Sequence, residues 1–233
     1  MPRKPRLYLP DVPVHLVQRG NNRNACFFAD EDYHFYLDCL GRGLRRFGVR
    51  LHAYVLMTNH VHLLLTPVDE TGISRLMQHL GRQYVGYINK TYRRTGTLWE
   101  GRHKASLVQA DTYLFTCMRY IELNPVTAGM VETPEQYPWS SYRHNAWGEP
   151  DELICQPPLY QALGSSHAER RLAYREFFRH QIPESDVQEL RECLIYSYPL
   201  GNDRFSEQIE AMQGRRVGMR KPGRPARKAV GQN

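Results

Sequence analysis

VRLHAYVLMTNHVHLLLTP, residues 49–67, reads as two β-strands split at Asn59, because apolar residues run on both sides of a single turn-forming amide. Side chains alternate along a strand, so His60, His62 and Leu64 share one side while Val61, Leu63 and Leu65 share the other. The two imidazoles therefore point the same way, roughly 7 Å apart along the strand. So placed, they can converge on one ion or be satisfied separately by their neighbours.

The flanking sequence supplies the rest of a layer. VPVHLVQRG (12–20) reads as a strand entering a turn at Gly20-Asn21-Asn22. DEDYHFYLDCLGRGLRRFG (30–48) has acidic residues first, arginines last and apolar residues at helical spacing (Phe35, Leu37, Leu40, Leu44, Phe47), a helix closing at Gly48. ISRLMQHLGRQYVGYINKTYRR (73–94) is a second, longer helix, and LWEGRHKASLV (98–108) a further strand, less regular at its start. DTYLFTCMRYIELNPV (111–126) is a third helix, with Asp111 as its expected N-cap and Leu114, Met118 and Ile121 as its apolar stripe. The order β-α-β-β-α-β predicts an α+β, ferredoxin-like antiparallel sheet with two helices on one face. The third helix is left for the other face, and the strand carrying His60 and His62 falls near the middle of the sheet.

After Tyr142, GEPDELICQPPL (148–159) separates this core from a helical extension. AERRLAYREFFRH, SDVQELRECLI (with Ser185 and Gln188 as a capping pair) and DRFSEQIEAM read as three short helices, either a DNA-binding module or a brace for the core. The expected organisation is a catalytic domain over 1–150, a helical extension over 151–212 and a basic tail over 213–233.

Charge locates a partner. Of 31 Lys+Arg side chains, seven lie in residues 213–233, where no acidic residue occurs; the 24 that remain match the 24 Asp+Glu of the rest. A segment with that charge and almost no apolar residues cannot bury enough surface to fold alone, and a polyanion such as nucleic acid is its natural partner. Five scattered cysteines without a C-x-x-C pair indicate free thiols rather than a disulfide framework or zinc ribbon. With no apolar run of membrane-spanning length and no secretory leader, the expected location is the cytoplasm, in association with the nucleoid.

In RYIELNP, Tyr120 and Asn124 are four residues apart and share one helical face, distinct from the Leu114 stripe. Pro125 disfavours helix at Asn124, so that amide sits at the helix end, where its oxygen could join the two histidines around a divalent cation. A free phenol has a pKa of about 10 and is little ionised near neutrality. Beside such a cation, Tyr120 becomes a nucleophile for a phosphodiester, storing the bond as phosphotyrosine. The same residues admit two other readings, a DNA-binding regulator that no longer cuts and a phosphodiesterase using activated water.

TNHVHLLL, followed by RYIELNPVTAGMV and YPWSSY, resembles the single-tyrosine HUH endonucleases, specifically the REP-associated tyrosine transposases; QRGNNR and LWEGRHKASLV add to the likeness, which spans about residues 7–145. The resemblance implies His60, His62 and Asn124 as metal ligands for Mg²⁺ or Mn²⁺ and Tyr120 as nucleophile. It also implies single-stranded or hairpin DNA as substrate and a monomeric protein, with no membrane partner. PGRPARK (222–228) resembles an AT-hook, with Pro222 where that motif has arginine. Phosphate contacts are expected from Arg3, Lys4 and Arg6 at the start and from Arg19, Asn21, Asn22 and Arg23 at the first turn. Arg102 and Lys104 before the last strand, and Arg215, Arg216 and Arg224 in the tail, complete the set. With contacts of this kind, log affinity for DNA, measured by fluorescence anisotropy across a salt titration, is expected to fall linearly with log salt.

Overall fold

The computed structural model describes residues 8–214, so Arg3, Lys4, Arg6, Arg215, Arg216, Arg224 and nearly all of the basic tail lie outside the described residues. Four strands, β1 (Val14–Arg19), β2 (Val49–Met57), β3 (His60–Pro67) and β4 (Lys104–Leu107), form one sheet in the order β2-β3-β1-β4. Every neighbouring pair is antiparallel, which is the expected ferredoxin-like arrangement with β3 central. The helices α1 (Asp30–Phe47) and α2 (Gly72–Thr91) cover one face, α3 (Ala110–Glu122) the other, and α4 (Asn124–Thr127) continues α3 after a break at Leu123.

Strand alternation sorts the two cores. Val61, Leu63 and Leu65 join Leu16, Tyr36, Leu40, Leu76 and Tyr84 on the α1/α2 side, whereas Leu64 joins Ala53, Val55 and the α3 residues Leu114, Cys117, Met118 and Ile121. Helix α1 ends as its sequence requires, with Gly48 at φ 61°, a left-handed conformation that costs glycine little. Its inward stripe is carried by Tyr33, Tyr36, Leu40 and Leu44; Phe35 and Leu37 are only half-buried.

Several expected boundaries move. The last strand is shorter than 98–108, because the chain before Lys104 bonds around the first turn instead, with Asn21 N–H on the Leu98 carbonyl and Glu100 N–H on that of Arg19. Gln109 rather than Asp111 stands at the N-cap position of α3, without a side-chain capping bond, and Asp111 falls in the first turn, where its charge still suits the helix dipole. Beyond the sheet come α5 (Pro158–Gln161), α6 (His167–Glu176), α7 (Glu184–Tyr196) and α8 (Asp203–Gln213). Ser185 and Gln188 make no capping pair, since the N-cap of α7 is Pro183, two residues earlier, and Ser185 bonds Asp186 while Gln188 bonds Glu192. A capping box instead opens α6, where Ser166 and Glu169 satisfy each other's N–H groups.

The stretch expected to separate core from extension is itself bound to the sheet. Cys155 N–H donates to the Leu51 carbonyl, and Tyr54 Oη donates to Asp151. Trp139–Ser141 bonds further along β2, and Leu200 N–H bonds the Leu107 carbonyl beside β4. Both sheet edges are thus covered.

Glu122, the last residue of α3, is fully buried. It accepts from Ser141 Oγ (2.6 Å), Asn145 Nδ2 (2.9 Å) and Tyr174 Oη (2.7 Å), so a residue of α6 holds the end of α3. Burial pushes its carboxyl up to about 7, with the three donors pulling the other way. Glu122→Ala would remove the shared acceptor of three buried donors and is expected to destabilise the protein by about 3 kcal/mol; Glu122→Gln, which retains an acceptor, should cost less. Urea unfolding of both variants measures the difference.

Candidate active site

Antiparallel register builds the site before any side chain is considered. Arg19 stands opposite His60, Val17 opposite both His62 and Lys104, and His15 opposite Leu64 and Ser106. Residues directly opposite share a face. His15, Arg19, His60, His62 and Lys104 therefore occupy the face that α3 partly covers.

The structure brings the expected quartet together. The rings of His60 and His62 are 5.0 Å apart, and the Tyr120 ring is 5.8 Å from that of His62, meeting it edge-on. Asn124 is the first residue of α4, and its Nδ2 donates to the Tyr120 carbonyl at 3.3 Å. That bond commits the amide nitrogen to the helix and leaves Oδ1 for His60, with which Asn124 also hydrogen-bonds. Tyr120, Asn124 and His60 are half-buried and His62 is buried, so the cluster opens to solvent on one side.

Each histidine has its inner nitrogen engaged. His60 Nδ1 lies 2.6 Å from Asn59 Oδ1, and His62 Nδ1 lies 2.9 Å from His15 Nε2. Nε2 is then the nitrogen left in each ring, shared between Asn124 and a ligand at His60 and left for a ligand at His62, the arrangement by which a neighbour fixes ring and tautomer of a metal-binding histidine. Burial lowers the His60 pKa to about 4, the Arg19 charge adding to the effect and the Asn124 bond opposing it. His62 is held well below the ordinary value by burial first, then by His15, His60 and Arg19. Neutral imidazoles are the metal-binding form. Among the described residues no three His, Cys, Asp or Glu side chains are grouped to hold an ion, and the oxygen donor set beside His60 is the Asn124 amide. Two ring nitrogens and one amide oxygen fit a divalent cation that keeps several open positions.

Of the expected DNA contacts, Arg19 and Lys104 lie on the site face and are exposed, as is Arg102 two residues before β4. Asn21, Asn22 and Arg23 form the adjoining turn, with Asn22 and Arg23 at φ 52° and 59°. The turn is tied to the site, since Asn59 Nδ2 donates to the Arg23 carbonyl and Gly20 N–H to the Asn59 carbonyl. Sequence reasoning missed His15 and the role of Asn59 as orienter of His60. The signal for His15 was the alternation in VHLVQR, which puts it on the same face as Arg19.

Residues 9–124 match the protein family described as "Transposase IS200 like". A Haemophilus influenzae protein named for the REP-associated tyrosine transposases is 27% identical over 120 residues, 46% of this chain and 68% of its own length. The solved structure of a REP-associated tyrosine transposase bound to a REP hairpin is 16% identical. It covers 67% of this chain and 99% of its own, with a TM-score of 0.54, a likeness of fold.

His15, His60 and His62, and also His52, whose pKa burial lowers to about 4, stay neutral in the folded protein at pH values where unfolded histidine takes a proton. The unfolded state then binds more protons, so stability is expected to fall as pH drops below about 6.5. Glu122 has the opposite sign, losing stability as pH rises from the ordinary carboxylate range toward 7. Thermal melts between pH 7.5 and 4.5 should show a declining Tm in that direction, and a steeper decline in Glu122→Gln.

Proposed function

We propose that the chain, whose residues 9–124 match the IS200-like transposase family, cuts and rejoins single-stranded DNA through Tyr120. His60, His62 and Asn124 would hold Mg²⁺ or Mn²⁺. The observation that carries this reading is the meeting of the Tyr120 ring with that of His62 while Asn124 is bonded to the Tyr120 backbone.

In the proposed reaction the Tyr120 phenol loses its proton and its oxygen attacks the scissile phosphorus. The bond from phosphorus to the 3′-oxygen breaks, and that oxygen leaves as a 3′-hydroxyl after taking a proton. The 5′-phosphate stays esterified to Tyr120, and attack by a 3′-hydroxyl reverses the step. A bound divalent ion supplies Lewis-acid polarisation of the phosphate. The protein's own part is orientation: β3 fixes the two rings, Asn59 holds one of them, and the packed stripe of α3 fixes the height of Tyr120 above the sheet.

The substrate we assign is a REP-like hairpin with its flanking single strand, the DNA class in the name of the structural neighbour. Arg19, Arg23, Arg102 and Lys104 border the cluster and would meet its phosphates, with the basic tail adding reach. We assign catalysis to residues 1–150, support of α3 to residues 151–212, and a cytoplasmic, nucleoid-associated monomer as the working form. No helix among the described residues is long and apolar enough to cross a membrane.

Incubation of the full chain with labelled hairpin DNA and Mn²⁺ is expected to give a covalent adduct on a denaturing gel that Tyr120→Phe abolishes. Cleavage persisting in Tyr120→Phe would instead identify a water-using phosphodiesterase. Binding without any cleavage would identify a regulator.

A further inference from the structure

His15 is absent from the proposed chemistry, yet it is fully buried at the centre of the cluster. Its Nε2 lies 2.9 Å from His62 Nδ1, the two rings stack at 5.2 Å and 28°, and its edge meets the Tyr120 ring at 5.9 Å. Its other nitrogen, Nδ1, is buried and has no hydrogen-bond partner among the described residues. A histidine needed only to fill space would carry neither a bond to a site residue nor an unsatisfied polar atom, because an apolar side chain fills the same volume without that cost.

Two neutral imidazoles joined by one hydrogen bond hold one proton between them, and its position decides what His62 offers at Nε2. If His15 donates, His62 accepts at Nδ1 and carries its own proton on Nε2, where it blocks a cation. If His62 donates from Nδ1, its Nε2 presents a lone pair, and the His15 proton moves to the unpartnered Nδ1. We propose that His15 is a positioning residue that accepts the His62 Nδ1–H and so holds His62 in the tautomer and ring orientation able to ligate a divalent cation. The residue lies in the strand next to β3, so the rigid β1/β3 ladder sets the distance between the rings.

The inference rests on the metal-binding reading of His60, His62 and Asn124, and the test separates the two. Mn²⁺ affinity of the full chain without DNA is measured by calorimetry at one neutral pH for the wild type, His15→Leu, His15→Asn and His15→Gln. Glutamine puts its amide oxygen where Nε2 stands, whereas asparagine reaches only to the Nδ1 position. Leucine and asparagine are expected to weaken Mn²⁺ binding about 10- to 100-fold, and glutamine to bind within a few-fold of the wild type or more tightly, since its oxygen can only accept. Equal affinity in all four proteins overturns the role of His15 and leaves the metal site standing. Equal loss in asparagine and glutamine, with both folded by circular dichroism, also overturns it, because the acceptor would then be irrelevant. Should His15→Leu fail to fold, the asparagine-to-glutamine contrast decides alone. Failure of the folded wild type to bind Mn²⁺ overturns the metal reading itself.

Discussion

The burial of one stripe of α3 against one face of the sheet is the interaction on which the site depends. Leu114, Cys117, Met118 and Ile121 meet Ala53, Val55, Met57 and Leu64, all nearly excluded from solvent. Fully buried aliphatic side chains are each worth roughly 1.5–3 kcal/mol, enough for this contact to fix both rotation and height of the helix. Tyr120 lies beside that stripe, one residue before Ile121, so its ring is delivered to the histidines without needing a polar contact of its own. The face changes character along β3, from histidines at its start to Leu64 and its apolar neighbours further on. One strand therefore serves a reactive end and a packed end.

Electrostatics at the site follow from that geometry. The histidines sit deep enough to stay neutral, and Arg19, the cation opposite His60, works in the same direction. Exposed cations lie around them on β4 and the first turn while the rings themselves carry no charge. An anion approaching this surface meets attraction at the rim and uncharged rings at the centre.

How much of this was legible in the sequence depended on distance along the chain. Strand alternation put His60 and His62 on one side, and helical spacing put Tyr120 beside Asn124, because both are local periodicities that tertiary packing rarely overrides. His15 escaped because its partner is 47 positions away: alternation gives its face, but only the β1/β3 register brings it to His62. Glu122 escaped for a similar reason: within RYIELNP it looks like any surface glutamate, and its three donors come from residues 141, 145 and 174. Helix starts at Asp111 and Ser185 were misread where a neighbour competed for the same role, a backbone turn at Gln109 in one case and Pro183 in the other. The covering of the sheet edges by residues 139–141, 154–155 and 200 carried no sequence signal at all, since each is a short irregular segment.

The anchoring of α3 through Glu122 has a consequence for what counts as the indivisible unit of this protein. The span shared with the transposase family stops at Asn124, two residues past the carboxylate whose hydrogen-bond donors all lie further along the chain. Cut there, the polypeptide would keep every proposed reactive group and lose what holds them in register: a naked acid at the helix end and bare strand borders inviting association with other copies. Grafting the proposed reactive residues onto a smaller frame would first have to supply another anchor for the helix that carries Tyr120.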